Sequence, residues 1–295
     1  MDFSAMNQTN SHHVRSNSLP SKLHPFIDQV DEHLHRLKEA SEATSSCSSS
    51  ELSHKLNGLQ ELHDYIDKLL LLPLTQHVLV EDSDTKPFDD LLKGSIRLLD
   101  LCDIAKDALL QTKECVQELE SVLRRRKGSE TFIASELQKC LSSRKLIKKT
   151  IYKALKTVQT KSCEKTQATP AIVSSLKQAE FVGYNVVESL LSFLAGPKFR
   201  SNSSRWSLVS KLVQSKRVAC EVEETSRNEV ALVDAALHSV CSQKTKKHDF
   251  LAQVENLQSS LKMFGSNIQE LEGDLEALYR RLIKTRVSIL NIYNY

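Results

Sequence analysis

Glycine and proline are scarce in this chain of 295 residues, which contains seven glycines and six prolines. Average glycine usage is roughly 7%, and phosphate-binding loops, tight hairpins and barrel corners depend on this residue. The low proline content leaves long stretches of backbone that can form uninterrupted helices. The composition therefore disfavours β-rich folds and glycine-loop nucleotide sites, and it favours a helical protein.

A strong net charge and recognisable catalytic motifs are also absent from the sequence. The formal net charge is only +3, so no binding to nucleic acid is expected. The sequence has no GxGxxG, Walker, GxSxG or HExxH motif. His33 with His35, and His54 with His63, do not have the spacing of a common metal site on a helix. We therefore predict that the protein is not an enzyme and holds no cofactor or metal.

The cysteines are odd in number and too widely spaced for a CxxC pair. Most of them fall among apolar residues of predicted helices, where a free cysteine packs as a small hydrophobic residue. This pattern favours free thiols and a reducing compartment. The positions are Cys47, Cys102, Cys115, Cys140, Cys163, Cys220 and Cys241.

The N-terminal segment lacks the features of known targeting signals. It has no apolar core for a secretory signal, and Asp2 stands where N-myristoylation requires glycine. The most apolar stretch, residues 181–194, contains Asn185 and Glu188 and falls short of the ~18 apolar residues of a membrane span. We expect a cytoplasmic protein, with peripheral membrane contact and organelle import left open.

Apolar residues recur at helical spacing along most of the chain. Residues 1–23 are polar and predict a disordered tail, and six serines between residues 41 and 50 predict a flexible linker. The remaining pattern predicts one helical-bundle domain over residues 24–293, with a loop at 196–205. Helices are expected over residues 25–40, 51–72, 88–126, 129–158, 172–194, 206–223, 229–240 and from 250 onwards, with 81–84 as a loop.

The last predicted helix carries the most regular apolar stripe in the chain. Its residues alternate in steps of four and three, which is the spacing of a coiled-coil seam. Because several consecutive segments carry similar stripes, we predict that they pack within one chain as an elongated, antiparallel all-α bundle. A monomer is therefore favoured over a parallel dimer joined by this helix. The stripe comprises Phe250, Val254, Leu257, Leu261, Phe264, Ile268, Leu271, Leu275, Leu278 and Leu282.

A basic amphipathic helix is predicted between residues 144 and 165. This segment has eight Lys or Arg residues against the single acid Glu164, a difference of seven charges. Such a helix can bind an anionic membrane surface or calmodulin. The candidate basic surface comprises Arg144, Lys145, Lys148, Lys149, Lys153 and Lys156.

Two structural alternatives exist for this basic helix. Its lysines can form an ordinary solvated face, or they can pair with an acidic stretch of the last helix. A membrane-seated helix usually adds Trp or Phe, whereas this one offers only Tyr152, so the solvated face is favoured. The acidic stretch comprises Glu270, Glu272, Asp274 and Glu276.

The N-terminal tail contains a candidate phosphorylation site at Ser18. Arg15 lies three residues before this serine, which is typical of basophilic kinase sites, and Pro20 lies two residues after it. When phosphorylated, the string RSNSLP has the form that 14-3-3 proteins bind through an arginine cluster. A 14-3-3 protein is therefore one candidate partner.

Five strings of residues carry a family resemblance that covers nearly the whole chain. They are HVRSNSLPSKLHP (13–25), FDDLLKGSIRLLDLCDIAKDALLQTKECVQELESVLRRRKG (88–128), LSSRKLIKKTIYKAL (141–155), WSLVSKLVQSKRVACE (206–221) and LYRRLIKTRVSILNI (278–292). These strings resemble a plant-specific family long described as a domain of unknown function and grouped with the BYPASS-type proteins. The resemblance implies a plant protein with an all-helical fold, no known catalytic residues, and a link to root and shoot development.

Two hypotheses about function follow from the residues and the resemblance. The first is a non-enzymatic interaction or scaffold protein that binds other proteins in plant developmental signalling. The alternative is a peripheral membrane protein that binds anionic lipid, or a calmodulin target, through residues 144–165.

Overall fold

The computed structural model describes residues 25–42, 48–81, 86–125, 130–159, 171–196, 228–242 and 247–294. Within these ranges the all-α prediction is confirmed, because the chain forms eight helices and no strand. The predicted tail, the predicted helix over 206–223 and most of the loop before it lie outside the described residues. The helices are α1 (Pro25–Glu42), α2 (Ser49–Leu70), α3 (Pro73–Glu81), α4 (Lys86–Arg125), α5 (Glu130–Gln159), α6 (Ala171–Ala195), α7 (Glu229–Ser242) and α8 (Lys247–Tyr293).

The serine-rich linker is shorter than predicted because it contains a helix N-cap. The Ser48 hydroxyl accepts a hydrogen bond from the Glu51 backbone N–H, and the Glu51 carboxylate accepts one from the Ser48 N–H. This reciprocal pair is a capping box. Helix α2 therefore begins at Ser49, and α1 extends to Glu42. The prediction of a flexible linker is wrong for residues 41–42 and 48–50.

Helix α3 occupies a segment for which the apolar pattern predicts no helix. Pro73 ends the predicted helix over 51–72, but proline is also favoured at the first position of a helix. Here it opens the nine residues of α3. Thr75 and Leu79 of this short helix are buried, so tertiary contacts hold it in place.

The 47-residue helix α8 is the central element of the fold. It packs against α2, α3, α4 and α7. Nine of the ten residues of its apolar stripe, from Val254 to Leu282, are buried, and Phe250 is half-buried against the same core. The stripe is therefore covered by other helices of this chain.

Helices α4 and α8 run antiparallel. Lys113 in α4 lies 2.5 Å from a carboxylate oxygen of Glu272, and nearer the start of α4 the Leu92 carbonyl accepts a hydrogen bond of 2.6 Å from Arg286. The contact positions thus move backwards along α4 as they move forwards along α8. This pair has the direction predicted for the long helices.

Helix α2 runs parallel to α8 instead. Ser53 near the start of α2 donates a hydrogen bond to Asp274, and Asp64 further along accepts one of 2.9 Å from Arg281. The antiparallel prediction therefore does not extend to this pair. Because α2 and α4 both pack against α8 and point in opposite directions, one of them must run parallel to it.

Cys115 and Cys140 face each other between α4 and α5 and are joined as a disulfide, with their Cα atoms 5.8 Å apart. That separation is typical of disulfides. The expectation of free thiols is therefore wrong for this pair, because folding brings together two cysteines 25 positions apart in the sequence. Cys102 and Cys241 are free thiols, and burial raises the pKa of Cys102 to about 12.

The apolar stretch at 181–194 lies within α6 and contributes to the core. Val182, Val186 and Leu190 are buried there, and α6 contacts α1, α2, α4 and α5. Of the helices that the structure describes, none is both long enough and apolar enough to cross a membrane.

Candidate functional site

Helix α5 has one inward and one outward face. It packs against α4, α6 and α7, and its inward residues Ile147, Ile151 and Leu155 are buried. We call the outward residues the α5 lysine surface, and none of its lysines forms an ion pair with another described residue. The exposed lysines of this surface are Lys145, Lys149, Lys153 and Lys156.

Arg144 and Lys148 point away from the α5 lysine surface, although the sequence pattern groups them with it. Arg144 is only 4% exposed, and its guanidinium donates to both carboxylate oxygens of Asp234 in α7. The Lys148 ammonium donates to the same carboxylate at 2.6 Å. The prediction that Arg144 forms part of a basic surface is therefore wrong, because this side chain joins α5 to α7 inside the fold.

The charge on Asp234 reflects this arrangement. Burial raises the pKa of its carboxyl, but the hydrogen bonds and positive charges of Arg144 and Lys148 outweigh burial and lower the pKa below its usual value. Asp234 is therefore ionised at neutral pH and completes a three-residue ion cluster. This cluster uses two of the six basic residues that the sequence assigns to the surface.

Large apolar side chains lie among the remaining lysines. Leu146 is 62% exposed and Tyr152 is 50% exposed. Each lies three positions from Lys149, so their side chains are neighbours on the helix surface. The sequence pattern identifies Tyr152 as the aromatic residue of the basic segment, but it does not identify Leu146 as exposed.

The acidic stretch of α8 faces α2 and α4, not α5. Two of its acids bind lysines of α4 at 2.5–2.6 Å, namely Glu272 with Lys113 and Glu276 with Lys106. The other two accept hydrogen bonds from Ser53 of α2. The alternative in which these acids neutralise the basic helix is therefore wrong.

A buried polar relay links α2 to α8 in the core. His63 Nδ1 lies 3.2 Å from the Thr285 hydroxyl oxygen, and this hydroxyl donates to Asp67 at 2.9 Å. Since the hydroxyl hydrogen is used for Asp67, the oxygen accepts from the His63 Nδ1–H, and Nε2 carries the free lone pair. Burial lowers the pKa of His63 to about 4, so the ring is neutral at pH 7.

The Glu180 side chain of α6 occupies the space next to Gly94 of α4. A Cβ atom at Gly94 would clash with the Glu180 carboxyl, and the Tyr184 hydroxyl donates to the Gly94 carbonyl at 3.0 Å. Burial raises the pKa of Glu180 to about 8. This carboxyl is therefore mostly protonated at neutral pH.

His63 and Glu180 line the same small cavity, whose volume is about 30 Å³. Ser95, Arg286 and apolar residues of α2, α4, α6 and α8 complete its wall. The spacing of the histidines gives no sign of this site, because its residues come from four separate helices. The available signal is that each of these polar residues falls on the apolar stripe of its helix, His63 between Leu59 and Ile66 and Glu180 between Leu176 and Val187.

An open depression of about 280 Å³ lies between α4 and α8. Its lining is polar and carries charges of both signs, unlike the mostly apolar lining of typical ligand pockets. In the part of the chain that the structure describes, no group of three or more His, Cys, Asp or Glu side chains could hold a metal ion. The depression is lined by Glu120, Arg124, Glu255, Gln258, Ser259 and Lys262.

The candidate phosphorylation site is not part of the described structure. Arg15, Ser18 and Pro20 lie outside the described residues. Phosphorylation of Ser18 and binding of a 14-3-3 protein therefore stay predictions.

Comparison with known protein families assigns the chain to one of them. The family model described as Protein BPS1 matches residues 55–292, which extend from α2 into α8. The chain belongs to this family. Membership of the BPS1 family confirms the resemblance carried by the sequence strings, and the matched region includes the α5 lysine surface and the polar relay. No curated protein and no solved structure matches the chain.

Proposed function

We propose that this BPS1-family protein works by binding, as a non-enzymatic interaction protein of the plant cytoplasm. Its link to root and shoot development rests on the family resemblance. The observation that carries the proposal is the α5 lysine surface, where four lysines have no ion-pair partner among the described residues. Elsewhere the basic residues that face α8 or α7 bind acids of this chain.

The α5 lysine surface suits an acidic segment of a partner protein. From Lys145 to Lys156 the surface extends roughly 16 Å along the helix, given a rise of about 1.5 Å per residue. The described part of α5 beyond Glu136 contains no acidic residue. Lysines arranged in this way attract acidic surfaces and increase the rate of association.

Two cavities among the described helices support a binding protein over an enzyme. The small, partly open cavity beside His63 has a volume of about 30 Å³, which is enough for a water molecule but not for an organic substrate. The open depression between α4 and α8 lacks the apolar walls of a ligand pocket. Neither feature offers a nucleophile, a base and an orienting group around a bound substrate.

The test is affinity capture from plant tissue with three versions of the full chain. The first is the wild type, and the second is the Lys145/Lys149/Lys153→Glu variant. The third is a control with the same change in net charge at exposed positions of other helices, Lys93/Arg125/Lys262→Glu. We expect partners that bind the wild type and the control but not the α5 variant. Equal capture by all three versions would remove the α5 lysine surface from the proposal.

The second candidate is peripheral binding to an anionic membrane through the same surface. The exposed Leu146 and Tyr152 favour it, because such side chains can enter the lipid headgroup region while lysines contact lipid phosphates. Binding to calmodulin fits less well, because it uses the apolar face of a helix, and Ile147 and Ile151 are buried against the bundle.

Sedimentation with vesicles distinguishes the two candidates. A membrane function predicts binding to phosphatidylserine vesicles that weakens with added salt and with Lys145/Lys149/Lys153→Glu. The interaction-protein function predicts no sedimentation with these vesicles and loss of captured protein partners in the same variant.

A further inference from the structure

The cavity between α2, α4, α6 and α8 contains two polar atoms without partners. His63 Nε2 and Glu180 Oε1 are both buried, and neither has a hydrogen-bond partner among the described residues. Buried polar groups without partners are rare, and they commonly mark an ordered water or ion. Both atoms line the same cavity, although their helices are far apart in sequence.

Both atoms accept hydrogen bonds. The His63 Nδ1–H donates to Thr285, whose own hydrogen goes to Asp67, so Nε2 is left as an acceptor. Glu180 Oε1 is an acceptor when the carboxyl is ionised or carries its proton on Oε2. Two acceptors cannot bond to each other, so the molecule that satisfies both must supply two donors.

Water has two O–H donors, and it fits the space. A cavity of about 30 Å³ exceeds the ~10–15 Å³ that a water molecule needs by this measure. Ser95 and Arg286 also line the cavity, so the water oxygen has polar neighbours as well.

We propose that one water molecule binds in this cavity and donates hydrogen bonds to His63 Nε2 and Glu180 Oε1. The bridge extends the Asp67–Thr285–His63 relay to α6, so that α2, α6 and α8 share one hydrogen-bonded chain. Gly94 leaves the space for Glu180 beside α4. The charged groups that act on Glu180 are Arg97 on α4, Lys177 on α6 and Arg286 on α8, and all three are basic.

A crystal structure of the full chain with ordered solvent tests the bridge directly. We expect one water within hydrogen-bond distance of both His63 Nε2 and Glu180 Oε1. An empty cavity, or a direct hydrogen bond between the two side chains, would overturn the proposal.

A double-mutant cycle gives an independent test in solution. We expect His63→Phe and Glu180→Met each to lower the urea midpoint of unfolding. The double variant should be less destabilised than the two single shifts combined, because either change alone already removes the bridge. A strictly additive shift would overturn the proposal. Glu180→Gln, whose amide oxygen still accepts, serves as the conservative variant, and it should keep a midpoint close to that of the wild type at pH 7.

Discussion

Helices α5 and α8 are both long and amphipathic, yet they use their charged residues differently. Helix α8 packs against four helices, and its acids Glu272 and Glu276 bind lysines of α4. Helix α5 packs against three helices along one side, and the lysines of its other side have no acidic partner among the described residues. A similar pattern of charge is structural in one helix and available for a partner in the other.

The position of a helix in the bundle explains this difference. Helix α8 packs against four helices, so most of its charged residues meet a residue of opposite charge or a hydroxyl donor. On α5 Lys139 pairs with Glu136 of the same helix. Among the described residues, only Arg144 and Lys148, which flank the inward stripe, reach an acid of another helix, and that acid is Asp234. Charge pattern alone therefore does not separate a structural face from a docking face.

The largest expected effect comes from placing a charge in the α8 stripe. Leu271 is completely buried, so Leu271→Asp should cost several kcal/mol, which is comparable with the ~5–15 kcal/mol that stabilises a domain. We expect this variant to be unfolded at every concentration, as measured by circular dichroism and light scattering. Met263→Asp, at a position of α8 that is 56% exposed, is the control and should remain folded.

A folded, monomeric Leu271→Asp protein would contradict the internal role of the stripe. It would instead show that the stripe joins two copies of the chain and that the preference for a monomer is wrong. Concentration-dependent scattering of the wild type would then be expected as well.

The next largest effect compares a buried with an exposed basic residue of α5. Arg144→Met removes a buried partner of Asp234, and we expect it to destabilise the protein by about 2–4 kcal/mol. Lys148 still pairs with Asp234 in this variant, which limits the loss of stability. The neighbouring change Lys145→Met should alter the free energy of unfolding by less than about 0.5 kcal/mol, because this lysine is exposed. Equal effects of the two changes in urea unfolding would contradict the assignment of their faces.

A third effect depends on pH and concerns Glu180. Its pKa is about 8 in the folded protein and about 4.3 in an unfolded chain. Between these values the folded state binds more protons, so the stability falls as pH rises. From pH 6.5 to 8 the wild type should lose about 1.6 kcal/mol relative to Glu180→Gln, which has no proton to release.

The window for this measurement avoids the titration of His63. The pKa of His63 is lowered to about 4 in the folded protein, so its contribution to stability is lost only as pH falls below about 6.5. Unfolding free energies at pH 6.5, 7.2 and 8 would provide the comparison. A constant difference between wild type and Glu180→Gln would contradict a buried, protonated Glu180.

The smallest effect on stability is expected at the tail. Phosphorylation of Ser18 should change binding partners and leave the unfolding free energy unchanged, because the tail is predicted to lie outside the bundle. A phosphorylated peptide of residues 11–23 should bind a 14-3-3 protein more tightly than the unmodified peptide or its Arg15→Ala version. Equal binding by all three peptides would remove this hypothesis.

Periodicity in the sequence predicted seven of the eight described helices and the α8 stripe, because a buried stripe repeats along one helix, but it missed the short helix α3. It could not separate Arg144 from Lys145, since adjacent residues on a helix differ by only 100° in direction. It also missed the Cys115–Cys140 pair and the cavity between His63 and Glu180. These sites depend on which helices become neighbours, and no local pattern contains that information.

Amine-reactive labelling with mass spectrometry tests most directly the claim that the α5 lysines are available and the lysines facing α8 are not. Lys106 binds Glu276, and that hydrogen bond raises the pKa of Lys106 and reduces its reactive neutral form. In the folded protein we predict that Lys149 and Lys153 are modified several-fold faster than Lys106 and Lys113, and that the rates converge in urea. Slow modification of Lys149 and Lys153 in the folded chain would contradict the account, because it would mean that the α5 lysine surface is already covered.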